Sequence, residues 1–257
     1  MTNHFITFGG GHEKYIDAGK RLVNQMRATG LFHDHELYTH IYLQNDKEFW
    51  MKHGKFVGQN KKGYGCWIWK PYILKKKMES LKNGDILMYL DAGCEFDAKK
   101  TNMLKDFFIR VKNEHIIGTQ CGNEDGGLLE KYWTKADLFH FLGLNEPRFL
   151  DSPQRQGGTL LFYINDDTRK LINEWYNVAC SYHYIDDSPS VEKNAHNFQE
   201  HRHDQSIFSL LSKKYNLFSK LSLYNCGVLV VRNISKYSIS TFKKRKKSTM
   251  LLSLQII

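Results

Sequence analysis

The sequence is poor in proline, with only four in 257 residues, which leaves long stretches open to helix and strand. Its five cysteines, Cys66, Cys94, Cys121, Cys180 and Cys226, are odd in number and form no CxxC pair. That pattern excludes a closed disulfide framework, argues against a zinc site and points to a reducing compartment, the cytoplasm. Nowhere do about 18 apolar residues run together, so no membrane-crossing helix is expected. The opening MTNHFITFGGG lacks the basic start and continuous apolar stretch of a secretory signal. There is no internal repeat, and low complexity is confined to a lysine-rich segment near the C-terminus.

What is present suits a folded chain. Hydrophobic residues make up 41% and aromatics 14%, enough to bury a core of the size a single domain carries. A domain over residues 1–240 and a basic tail over 241–257 are expected. The formal net charge of +10 favours an anionic partner, and nucleic acid, acidic lipid and a sugar diphosphate would each satisfy it. Part of the excess is local, in Lys243, Lys244, Arg245, Lys246 and Lys247. With the apolar LLSLQII behind them, these residues offer a peripheral contact with the inner face of a membrane.

The pattern alternates between strand and helix. His4 to Phe8 reads as a buried strand entering Gly9, Gly10 and Gly11. Tyr15, Ala18, Gly19, Leu22, Val23 and Met26 recur at helical spacing up to Gly30. A second strand is expected within 36–43, and loop with short helix over 45–62. Pro71 should open a helix carrying Leu74, Met78 and Leu81. ILMYLD, Ile86 to Asp91, is apolar on both faces until its final carboxylate, as a central strand covered on both sides would be. Beyond it, Met103, Phe107 and Val111 mark a helix, Ile116 to Cys121 and Thr159 to Ile164 strands, and 134–142, 168–182 and 204–215 helices. The reading is an α/β fold with a mostly parallel central sheet and helices on both faces, whose ligands bind outside the carboxyl ends of the strands.

Chemistry-bearing residues gather where strand-end loops should lie: Thr7 to Gly11, Gly63 to Pro71, Asp91 to Glu95, Gln154 to Gly158, and HRHDQS from His201 to Ser206. Taken in order, GYGCWIWKP (Gly63 to Pro71) and GDILMYLDAGC (Gly84 to Cys94), with FITFGGG before them and HRHDQS after, resemble glycosyltransferases of the GT-A fold. The likeness is to bacterial and viral enzymes that build surface polysaccharides, and it covers roughly residues 4 to 215. It implies transfer of a sugar from a nucleotide-diphosphate donor to a hydroxyl of a glycan acceptor, with no nucleic acid involved. A non-catalytic nucleotide-sugar or carbohydrate binding protein is the alternative.

By that resemblance Asp91 matches the first acid of a DxD motif, with Asp204 and Gln205 facing the acceptor or the anomeric carbon. Donor contacts would come from Thr7, Phe8, Gly9, Lys70, Asp91, Ala92, Gly93, Gln156, Gly157 and Gly158, with Arg155 as a second diphosphate cation. Lys135 and Asp137 also match family-like residues. A divalent cation, Mn2+ or Mg2+, would neutralise the leaving diphosphate. The second acid of the motif is replaced by Gly93, however. Three arrangements are open: Glu95 reaches the ion, Asp91 shares it with His201 or His203, or basic side chains act alone. The structural alternatives are a loop-capping Asp91, core tryptophans at 67 and 69, a Lys70 that only extends to solvent, and a helix-capping Asp204.

Overall fold

A computed structural model of the protein describes residues 1–121 and 128–239. The basic tail expected at 241–257 lies outside them. The chain runs β1 (Asn3–Gly9), α1 (Glu13–Arg27), β2 (Asp34–Thr39), α2 (His40–Asn45), α3 (Lys47–Gln59), α4 (Gly63–Cys66), α5 (Trp69–Ser80), β3 (Ile86–Leu90) and β4 (Cys94–Phe96). It continues through α6 (Thr101–Glu114), β5 (Ile116–Gly118), α7 (Glu130–Trp133), α8 (Ala136–Leu142), α9 (Pro147–Leu150), β6 (Thr159–Tyr163), α10 (Asp166–Cys180), α11 (His203–Lys214), β7 (Phe218–Ser222) and β8 (Val228–Val230).

The central sheet is six-stranded in the order β2-β1-β3-β6-β5-β7. β1 is parallel to β2 and β3, and β5 is parallel to β7, while β6 is antiparallel to both its neighbours and alone runs against the rest. β4 and β8 form a separate antiparallel ribbon. Every residue of β3 is fully buried, because alternate side chains enter different cores. Leu87 and Tyr89 pack with Tyr72 and Leu74 of α5, Trp175 of α10 and Phe208 of α11. Ile86, Met88 and Leu90 pack with Leu22 and Met26 of α1 and with Leu104 and Phe107 of α6. Each such side chain contributes about 1.5–3 kcal/mol on leaving water. The sheet is therefore mostly parallel and covered by helices on both faces, as expected.

The segment 45–62 differs from expectation. Most of it is the regular helix α3, started by Asp46, whose side chain accepts from the Phe49 N–H at 3.1 Å. Phe49, His53, Phe56 and Val57 bury one face, an i, i+4, i+7, i+8 pattern hidden in the sequence by the lysines and glycines between. Pro71 sits in the first turn of α5, two residues after its start at Trp69, where a missing N–H costs nothing.

Between α3 and α5 the backbone is left-handed. From Gly63 to Trp67 every φ is positive: 58°, 55°, 87°, 51° and 60° in order. A Cβ on Gly63 would stand 2.3 Å from the Trp67 ring, and one on Gly65 would stand 2.7 Å from Val57. Glycine is thus required at both positions for packing as well as for backbone freedom. Tyr64, Cys66 and Trp67 pay for the same geometry with about 1–3 kcal/mol of strain apiece.

Candidate active site

The carboxyl ends of β1 and β3 open into a cleft of about 1160 Å³. Because β6 runs backwards, the residues entering it, rather than those leaving it, border this end of the sheet. The Gly158 carbonyl accepts from the Asp91 N–H at 2.8 Å, and a Cβ on Gly158 would lie 2.3 Å from Asp91 Oδ2. Asp91 is thus fixed against a bare backbone, with its side chain 46% exposed to the cleft. Its Oδ1 accepts from the Tyr89 hydroxyl at 2.6 Å and lies 3.3 Å from Lys70 Nζ.

Lys70 is buried, with its ammonium 3.1 Å from Asp204 Oδ2 as well. Burial by itself would lower the ammonium's affinity for its proton, but Asp204 and then Asp91 outweigh it, and the pKa is raised. Asp204 is also buried, and its Oδ2 has no hydrogen bond of good geometry. Burial accordingly pushes its carboxyl up to about 6, against the downward pull of Lys70. The result is a buried ammonium between one interior carboxylate and one that faces the cleft.

This arrangement corrects two expectations. Lys70 does not line the cleft, and its ammonium contacts Asp91 and Asp204 instead. Asp204 lies behind Gly157, whose Cβ position is 3.4 Å from Oδ2, and it too is absent from the cleft wall. Gln205 does reach the wall, where its Oε1 accepts from the Gly157 N–H at 3.2 Å and its Nε2 donates to Gln154 Oε1 at 2.6 Å.

Of the expected donor contacts, Phe8, Ala92, Gly93, Gln156 and Gly158 line the cleft. Thr7 does not: it is fully buried, and its hydroxyl donates to the Leu90 carbonyl at 2.7 Å. Gly9 is packed under α1, where a Cβ would come within 2.4 Å of the Tyr15 carbonyl. Arg155 is half-buried over the Phe218 ring and donates to Ser212 Oγ, and desolvation lowers its pKa to about 10. Lys135 and Asp137 pin the 183–192 segment through Asp186, Ser188, His183 and the N–H groups of Val191 and Glu192.

The expected metal set does not converge. Glu95 is buried and accepts from Asn233 Nδ2 and the Ile239 N–H. His203 faces Asp187 at 2.9 Å and the Trp67 ring. His201 contacts the Tyr184 carbonyl, and burial lowers its pKa to about 3. Among the described residues no group of three or more His, Cys, Asp or Glu side chains is arranged to hold a metal ion. Asp91 is therefore the sole member of the expected set that opens into the cleft, and these residues do not by themselves form a metal cage.

Other parts of the cleft were not foreseen. Trp67 and Trp69, which could have been core alone, both line it, and Phe8 stacks on Trp69 at 3.8 Å. Helix α3 contributes Trp50, Gly54, Val57 and Gly58. The opposite wall is Val230, Arg232 and Ile234, from a strap formed by β8 and the residues after it. Arg21 of α1 anchors this strap. Its guanidinium donates to the carbonyls of Ala92 and Cys94 at 2.9 and 2.8 Å and to those of Asn233 and Ser235 at 2.9 and 2.8 Å. Among the described residues the charged ones lining the cleft are Lys14, Lys61, Arg202 and Arg232 against the single carboxylate of Asp91.

No family model and no curated protein matches the sequence. Among solved structures the chain is similar to apo mouse xyloside xylosyltransferase 1, with a TM-score of 0.44 and 12% identity over 86% of this chain and 85% of that one. It is also similar to a mannose-6-phosphate isomerase from Helicobacter pylori, with a TM-score of 0.37 and 9% identity over 90% and 94% of the two chains. Neither likeness bears on the chemistry of the cleft, which stands on its own residues. Among the described residues no helix is long and apolar enough to cross a membrane.

Proposed function

We propose that the protein is a glycosyltransferase that binds a nucleotide-diphosphate sugar in this cleft and passes the sugar to a hydroxyl of a glycan. One observation carries the reading: Asp91 leaves the central strand β3 into a cleft whose other charged lining residues, among those described, are Lys14, Lys61, Arg202 and Arg232. An anionic donor suits the cations, and a carboxylate among them suits sugar chemistry. The GYGCWIWKP and GDILMYLDAGC segments, whose order suggested the same activity, supply the aromatic wall and Asp91 itself.

In such a transfer the bond from the anomeric carbon to the diphosphate breaks, and the electron pair leaves with the diphosphate. A bond to the acceptor oxygen forms, and the acceptor proton passes to a base. Asp91, oriented by Lys70 and Tyr89, is the exposed carboxylate suited to the positive charge that develops on the sugar. Gln156 and Gln205, which line the cleft, offer side-chain amides to the sugar's hydroxyls. Asp204 acts at one remove, by balancing Lys70.

The test is release of nucleoside diphosphate from a panel of nucleotide sugars, with and without manganese and magnesium and with oligosaccharide acceptors. Asp91→Asn should lower turnover by about 100-fold or more. Donor binding without turnover under every condition would instead identify a nucleotide-sugar binding protein. A tail-deleted variant that still sediments with acidic vesicles would remove the membrane contact from the proposal.

A further inference from the structure

The second acid of the expected motif is missing at residue 93, and the structure gives a reason. Gly93 lies directly under the strap: a Cβ there would stand 3.2 Å from Arg232 Cα and 3.5 Å from its carbonyl carbon. The Gly93 carbonyl accepts from the Asn233 N–H at 2.9 Å. A side chain at 93 would press on the strap backbone, which would have to give by a few tenths of an ångström.

Arg232 is held deliberately. Its φ of 51° is left-handed, a conformation that persists in a non-glycine residue when its surroundings over-determine it. Here Asn233 is tied to Gly93 and Glu95, and the Arg21 guanidinium grips the carbonyls of Asn233 and Ser235. Arg232 lines the cleft and is exposed. Among the described residues no carboxylate lies within ion-pair distance of it, whereas Arg202, which also lines the cleft, is paired with Glu200 and stacked on Trp133. An arginine fork without a carboxylate, set beside the acidic turn, matches the geometry of phosphate oxygens.

We propose that Arg232 is the cation that binds the diphosphate of the donor, brought by the strap to the position where the motif would otherwise carry its second acid. This rests on the glycosyltransferase reading and deepens it: charge that a metal would neutralise on the leaving group is met by a guanidinium of the protein. Gly93 is glycine so that the strap can come this close.

Binding of inorganic pyrophosphate and of a set of nucleoside diphosphates to the full-length protein, measured calorimetrically in EDTA, tests it. The wild type should bind in EDTA. Arg232→Gln should bind about ten- to hundredfold more weakly, the scale of lost charge-assisted hydrogen bonds, and Arg232→Lys should keep part of the affinity, since a point charge replaces the fork. Arg232 is exposed, so unchanged unfolding temperatures should accompany both. Binding that requires manganese or magnesium and is indifferent to Arg232→Gln would overturn the inference while leaving the glycosyltransferase reading intact. Absence of binding to every probe, with metal and without, would overturn both.

Discussion

Replacing Lys70 by methionine tests the buried charge arrangement most directly. The ammonium lies 3.1 Å from Asp204 Oδ2 and 3.3 Å from Asp91 Oδ1. At an effective dielectric of about 20 each contact corresponds to about 5 kcal/mol of gross attraction, most of it offset by desolvation. Asp91 is 46% exposed, so water compensates its loss and its share falls to about 1 kcal/mol or less. Asp204 is buried and would be left without a counter-charge, a situation that costs about 3–5 kcal/mol. In a chain of this size that is a fall in melting temperature of about 6–20 °C.

The loss should depend on pH. Burial holds the Asp204 carboxyl at about 6, above its ordinary value of 3.8. The native protein therefore takes up this proton before the unfolded chain does. Stability from the group is complete below about 3.8 and is lost as pH rises through about 6. Without Lys70 the native value moves higher still. Lys70→Met should consequently be severe at pH 7.5 and mild at pH 5, where Asp204 already carries a proton, as thermal and urea unfolding at the two pH values would show. Lys70→Met combined with Asp204→Asn should recover most of the loss at pH 7.5. Equal destabilisation at both pH values, or no recovery in the double variant, would refute the assignment of Asp204 as the buried counter-charge.

Asp204→Asn alone should flatten the change in stability between pH 4 and pH 7, since it removes the group that titrates near 6; parallel melting curves for variant and wild type across that range would contradict this. Gly158→Ala, whose Cβ would fall 2.3 Å from Asp91 Oδ2, should displace that carboxylate and cut nucleotide release about tenfold or more with a modest change in melting temperature. Gly65→Ala combines a φ of 87° with a 2.7 Å approach to Val57, so it should cost about 2–4 kcal/mol in urea unfolding.

Much of the fold was legible because its elements are strongly periodic. ILMYLD announces a strand buried on both faces, and the spacing of Leu22, Val23 and Met26 announces a helix. The direction of β6 was not legible, since an apolar run such as TLLFY reads the same whichever way it crosses a sheet. Helix α3 was obscured because its exposed face is basic and carries Gly54 and Gly58, even though Phe49, His53, Phe56 and Val57 mark its buried face. Within the candidate site, the juxtaposition of Asp91, Lys70 and Asp204 was anticipated from their places at strand and helix ends. The burial of Lys70 and Asp204 was not, because the depth of a side chain depends on what the rest of the chain lays over it. The strap is the clearest case: Gly93 and Arg232 meet across a long stretch of sequence, and no local pattern links them.

The Arg21 guanidinium binds two carbonyls of the acidic turn and two of the strap. A residue from the first helix thus staples the middle of the chain to its last described segment. The ligand chamber cannot be finished by the N-terminal half working alone. During synthesis one wall would wait for the strap to arrive, and a fragment ending before Val228 would keep Asp91 while losing Val230, Arg232 and Ile234, the whole of the side that faces it.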